Sequence, residues 1–212
     1  GMSTVGSLTR WFRDQLSPQE VAAQELHGVN AYTGLARLLE DSPPGAQGLI
    51  ALPYFEGERT PMYDPDARGV FFGLTLKHTR ADLYRALLEG VGFGIRHNMD
   101  GMLAEGILPR HILAVGGVVK NLAWMQTISD IANIEMSIPE QQVGSAYGDA
   151  FLAGIGVGLF SGVRDVRNWV RYVRQITPNP ESASRYAPLY SIYRELYERT
   201  SSLMGKLSAL AR

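Results

Sequence analysis

The sequence contains no cysteine. That excludes disulfides, zinc–thiolate sites, iron–sulfur clusters and thiol catalysis. Histidine is scarce: His27, His78, His97 and His111 are the only ones. None pairs at metal-ligand spacing and no His-Glu-x-x-His occurs, so they read as surface or core residues, with no protein metal site expected. Lysine is scarcer, with Lys77, Lys120 and Lys206. Only Lys206 follows a glycine, and Leu207 comes next, so there is no Gly-Lys-Ser/Thr phosphate loop. No Gly-x-Ser-x-Gly elbow is present, which removes the common hydrolase signal. Positive charge is not in excess, at 20 basic against 21 acidic residues, so a nucleic-acid binder is not expected. The longest apolar stretch, Ala150 to Phe160, holds three glycines and falls short of the roughly 20 residues a bilayer span needs. No basic start with an apolar core opens the chain, so cytoplasm is the expected location and no membrane partner is expected. Gly1 ahead of Met2 reads as a cloning remnant, with Met2 as the intended first residue.

What is present is a globular composition. Of 212 residues, 45% are hydrophobic and 19% charged, which suits one domain, or one plus a short appendage. Glycine is plentiful, 23 residues in clusters. Periodicity predicts helices over Ser7–Leu16 and Thr33–Glu40, with a Ser17-Pro18-Gln19-Glu20 helix start between them. Gly48–Pro53 reads as a short buried strand, Tyr54–Arg68 as a long loop and Gly69–Leu74 as an extended segment. Thr79-Arg80-Ala81-Asp82 resembles a capping box opening a helix to Leu103, with Leu83, Leu87, Val91, Ile95, Met99 and Met102 inward. Gly90, Gly92 and Gly94 inside that helix each cost roughly 0.5–1 kcal/mol against Ala, which implies close packing on their face. His111–Val115, Leu122–Ala132, Ile134–Ile138 and Gly144–Phe160 read as strand, helix, strand, helix, an α/β unit. Tyr186–Leu210 reads as an amphipathic helix with Leu189, Ile192, Leu196, Leu203, Leu207 and Leu210 on its apolar face and a kink near Gly205.

The sharpest local feature is Val115-Gly116-Gly117-Val118-Val119-Lys120-Asn121. A glycine pair between a strand and a helix lets a ligand touch bare backbone near a helix N-terminus; the alternative is a plain tight turn. The Rossmann spacing fails at each Gly-x-Gly pair (Gly90/Gly92, Gly92/Gly94, Gly154/Gly156 and Gly156/Gly158), so those glycines read as packing sites. Glu56, Glu58 and Arg59 either contact a polar ligand or form a solvated loop. Asp149, in a Gly/Ala helix, either faces a ligand or is exposed.

Several segments, in order, resemble the FGGY carbohydrate kinases. Gly69-Val70-Phe71-Phe72-Gly73-Leu74, followed by Asp82-Leu83-Tyr84-Arg85-Ala86-Leu87-Leu88-Glu89, resembles that family's second signature. Leu52–Pro61 is similar to the xylulokinase-type version of the preceding loop. Gly116-Gly117 with Asn121, Trp124, Gln126 and Asp130 resembles the adenine-side loop and helix, and Ala146–Ala153 the helix after it. The resemblance implies an α/β, helix-rich, ribonuclease H-like domain of the actin/hexokinase-like superfamily. Residues 1–212 would be its C-terminal, ATP-side domain, truncated at the N-terminal strands. It implies ATP with Mg2+ as cofactors and nucleotide contacts at Gly116, Gly117 and Asn121. Gly6, five residues before Trp11, would be another; Arg10 stands where the family's glycerol kinases have Gln, and its guanidinium can reach a phosphate.

The resemblance also implies that the catalytic Asp, the Gly-Thr-Ser/Thr phosphate loop and the sugar-binding N-terminal domain lie outside this sequence. No catalytic residue is therefore expected here. The full enzyme would phosphorylate a sugar or polyol hydroxyl, a pentulose such as xylulose being favoured, while this chain alone would be inactive. The uncovered sheet edge implies a homodimer. The alternative is a non-catalytic nucleotide-binding or regulatory domain.

Overall fold

The chain forms α1 (Val5–Leu16), α2 (Pro18–His27), α3 (Ala31–Leu38), β1 (Ile50–Leu52), β2 (Val70–Phe72), α4 (Arg80–Ala104), β3 (Ile112–Leu113), α5 (Leu122–Ala132), β4 (Met136–Pro139), α6 (Gly144–Gly156), the single turn α7 (Val166–Trp169), β5 (Tyr172–Ile176) and α8 (Pro180–Leu210). This is a computed structural model, and it describes residues 2–109 and 111–211. Gly1, with its reading as a cloning remnant, lies outside the described residues.

Helix α4 is the axis. Its start is the expected capping box: the Asp82 carboxylate accepts from the Thr79 amide at 2.8 Å and the Thr79 hydroxyl at 3.0 Å. Asp82 also takes the Ser42 hydroxyl at 2.6 Å. Burial opposes ionisation there, but the donors from Ser42, Thr79 and Gln47 prevail and hold the carboxyl down at about 2. From Ala81 to Gly94 only Leu83 is not fully buried. Each of the three glycines faces a different close neighbour. A Cβ on Gly90 would sit 2.4 Å from the Ala51 carbonyl oxygen of β1, one on Gly92 2.7 Å from Ile131 Cδ1 of α5, and one on Gly94 2.4 Å from Met2 Cε. Strand β1 and helix α5 therefore approach α4 at nearly backbone contact. The inward stripe ends sooner than its sequence period, because Met102 is 46% exposed.

Strands β1 and β2 pair antiparallel, with Ala51 opposite Phe71. Strands β3 and β4 pair parallel across α5, with Ile112 opposite Met136, the predicted α/β unit. Strand β5 then adds antiparallel to β4, placing Ile176 opposite Met136. Sequence reading missed β5, whose first four residues are exposed and leave no apolar alternation to detect. Among the described residues β3 has β4 on one side and no strand on the other.

Two further expectations are corrected. Ser17 precedes α2 but does not cap it: its hydroxyl turns back to the Phe12 carbonyl at 3.1 Å. Glu20, the other half of the supposed box, instead grips Arg80 with both oxygens at 2.7 Å, tying α2 to α4. In α8 only the first part of the leucine stripe is buried. Leu196 faces inward and Leu189 packs against the core, but Leu203, Leu207 and Leu210 are 54%, 61% and 85% exposed, and Tyr186, Tyr190, Tyr193 and Met204 fill the rest of the inward face. The helix also runs through Gly205 and Pro188 as one element.

Tyrosine can serve as a docking face because each hydroxyl has a partner. Tyr186 meets Glu89 at 2.8 Å, Tyr197 meets Asp64 at 2.7 Å, Tyr190 meets Asp100, and Tyr193 meets the hydroxyl of Tyr54. Steps of four, three and four residues keep these rings on one helix face, where each buries a large apolar area without orphaning its oxygen.

Candidate functional site

The expected nucleotide residues converge from two distant parts of the chain. Helix α1 begins at Val5 and brings Gly6 and Thr9 to one wall of a cleft of 780 Å³. The turn after β3 brings Gly117, Val118, Lys120 and Asn121 to the facing wall, with Trp124 of α5 behind it. Asn30, Tyr32, Thr33 and Ala36, from the junction of α2 and α3, close a third side. The volume lies within the range of small-molecule sites, about 300–1,000 Å³.

Local chemistry explains each wall. Gly116 has φ +85 and ψ −160, a backbone state that strongly favours glycine. It directs the chain from β3 into the single 3₁₀ turn Gly117–Lys120, anchored by the buried Val119. Asn121 then caps α5, its Oδ1 accepting the Trp124 amide at 3.0 Å. The Trp124 indole donates to the Leu88 carbonyl at 3.2 Å, fixing α5 on α4. Opposite, the Thr9 hydroxyl donates to the Gly6 carbonyl at 2.9 Å, and Asn30 caps α3 through the Tyr32 amide at 2.9 Å. A Cβ added at Gly6, Gly116 or Gly117 would meet nothing within 4 Å, so bare backbone faces open space.

Gly6, Gly117 and Asn121 thus line one cleft. Gly116 shapes the turn without lining it, and Arg10 is exposed on α1 outside the lining. Sequence reading did not pick out Asn30, Tyr32, Thr33 or Ala36, and gave Lys120 no role within the Val115–Asn121 run. The signal available was the Gly28-Val29-Asn30 helix break, with Gly28 at φ +68 ending α2 and Asn30 starting α3.

The remaining candidates lie elsewhere. Glu56 and Arg59 are exposed, as in a solvated loop, but Glu58 is 2% exposed. Its Oε1 accepts the Ser3 and Arg59 amides, both at 2.8 Å, and its Oε2 has no partner among the described residues. Asp149 is exposed on α6. His111 donates to or accepts from the Ser137 hydroxyl at 2.7 Å in a second, shallower cleft. No group of three His, Asp or Glu residues that could hold a metal occurs among the described residues. Among the described residues the cleft lining includes no carboxylate either, so this site offers Mg2+ no charged protein ligand.

The model of the FGGY family of carbohydrate kinases, C-terminal domain, matches residues 1–157. Gluconokinase of Bacillus subtilis (strain 168) is 32% identical over 198 residues, covering 90% of this chain and 37% of that protein. Xylulose kinase of the same organism is 30% identical over 203 residues, covering 95% and 39%. Among solved structures, ligand-bound xylulose kinase from Lactobacillus acidophilus superposes with a TM-score of 0.86 at 26% identity, over 97% of this chain and 40% of that one. Plasmodium falciparum glycerol kinase with ADP superposes at 0.74 and 25% identity, over 94% and 37%. The fold is that of the actin/hexokinase-like kinases, and the chain spans about two fifths of the length of the relatives it matches.

Proposed function

The chain belongs to the FGGY family of carbohydrate kinases, and we propose that it supplies the nucleotide-binding half of an enzyme that transfers phosphate from ATP to a sugar hydroxyl. The observation that carries this reading is the meeting of Gly6 with Gly117 and Asn121 across one open cleft, although more than 100 residues separate them in sequence. The glycines let a planar base or a ribose approach the backbone, and the Asn121 amide offers a polar edge beside it. The ADP-bound glycerol kinase among the structural neighbours supports nucleotide use by this fold.

The acceptor is proposed to be a pentulose or a sugar acid, in line with the xylulose kinase and gluconokinase relatives. Mg2+ would accompany ATP, held by its phosphates, and the setting would be the cytoplasm. No helix among the described residues is long and apolar enough to cross a membrane. This chain by itself is proposed to be inactive. It offers a cleft without a carboxylate to serve as base, and positioned general-base catalysis contributes about 10²–10⁴-fold. The edge of β3, unpaired among the described residues, and the exposure of most of α6 support self-association of the isolated chain.

Calorimetry with ATP tests the cleft: saturable one-to-one binding is expected, and no heat of binding would overturn it. A coupled assay with xylulose and gluconate should show no ADP release by this chain alone. Light scattering should give a mass near twice 23.3 kDa, and a monomer at high concentration would remove the self-association proposal.

A further inference from the structure

Resting on the reading of the cleft as a nucleotide site, we propose that Lys120 is the anchor for the nucleotide's phosphate chain and makes the cleft prefer nucleotides to nucleosides. Among the described residues Lys120 is the only charged side chain lining the cleft. It is exposed and forms no ion pair among the described residues. Ammonium groups at protein surfaces are commonly neutralised by a nearby carboxylate; here the lining has none, so an entering anion meets one cation and no opposing charge.

The root of this side chain is held while its tip is free. The Asn121 amide donates to the Val118 carbonyl at 3.0 Å, closing the turn around Lys120. Val119 on one side is buried, and Asn121 on the other caps α5. A flexible four-carbon stem on a fixed base brings a point charge to a mobile phosphate without needing a planar fork. Its position between Gly117 and Asn121 puts that charge beside the backbone where the base or ribose would lie. The phosphates then extend past the turn toward the ammonium. One such contact, although open to screening by salt, is enough to separate charged from uncharged ligands.

An ammonium can also donate to ribose hydroxyls, and ligand choice separates the two sources. Calorimetry would compare adenosine, AMP and ADP on the 212-residue chain and on K120Q and K120R. Because Lys120 is exposed, K120Q should keep the melting midpoint. The expected result is about tenfold weaker ADP binding in K120Q, adenosine affinity within about twofold of wild type, and ADP binding largely restored in K120R. Salt should weaken ADP binding to the wild type and have less effect in K120Q. Equal losses for adenosine and ADP would assign Lys120 to the ribose and overturn the proposal, as would unchanged ADP affinity in K120Q. If the wild type binds none of the three ligands, the nucleotide reading itself fails and this one with it.

Discussion

The Tyr186 hydroxyl donates to the Glu89 carboxylate at 2.8 Å, joining α8 to α4 across 97 residues of sequence. The same Glu89 oxygen accepts the Gly45 amide at 2.9 Å and lies 3.5 Å from the Arg85 guanidinium. Three segments of the fold therefore converge on one buried carboxylate. Y186F removes a donor without changing the shape of the ring. It should cost about 1–3 kcal/mol in urea unfolding, because a buried carboxylate loses a bond it cannot replace with water. A loss below about 0.3 kcal/mol would mean that the contact is redundant.

Two buried groups should oppose each other in pH dependence. Burial pushes the Glu89 carboxyl up to about 7, against the donors from Gly45, Tyr186 and Arg85. Glu89 therefore adds stability at low pH that is lost as pH rises from about 4.5 to 7, on the order of 3 kcal/mol. Burial, helped by Arg194 and opposed by Asp100, pulls His97 down to about 4. Its contribution is present above about 6.5 and lost as pH falls toward 4. The two slopes offset in the wild type. E89Q should leave stability rising with pH across this window, and H97Q should leave it falling. Denaturant midpoints at half-unit pH steps would show this; parallel profiles in both variants would refute it.

The glycines of α4 should rank by what stands against them. G90A drives a Cβ into the Ala51 carbonyl, which is backbone and cannot move aside, so a loss of about 3 kcal/mol or more is expected. G92A meets the end of the Ile131 side chain, which can turn, and should cost less. G101A meets nothing within 4 Å and should stabilise by about 0.5–1 kcal/mol. Thermal midpoints of the three variants give the order, and G101A at or below G92A would contradict it.

Asn121 caps α5 and is proposed to contact the nucleotide, and the two roles can be separated. N121A removes the cap of α5 and should cost about 1 kcal/mol, whereas serine caps comparably and N121S should keep stability within a few tenths. If the amide also contacts the nucleotide, N121S should weaken ATP binding several-fold despite its intact fold. Paired unfolding and calorimetry on the two variants test this, and wild-type ATP affinity in N121S would leave Asn121 only its capping role.

Much of α4 and α5 was legible in the sequence because their signals are local. The Thr79–Asp82 box and the Asn121 cap act within one helical turn, and the spacing of Gly90, Gly92 and Gly94 announced close neighbours without naming them. The cleft was half legible. Gly6, Gly117 and Asn121 were picked out by resemblance, while Asn30, Tyr32 and Lys120 look like ordinary turn or surface residues until the walls come together.

The sequence by itself determined the capped start of α4, the strand–helix–strand order of the α/β unit and the glycine turn at Gly116, since each is written within a few residues. Tertiary structure alone decided which face of α8 is buried and where Ser17 and Glu20 direct their side chains. Hydrophobic periodicity favoured the leucines of α8, but only Leu189 and Leu196 pack inward. Tyrosines fill most of the buried face because Glu89, Asp100, Asp64 and Tyr54, all distant in sequence, satisfy their hydroxyls. A polar group's preference for core or water is set by the partner that folding brings to it.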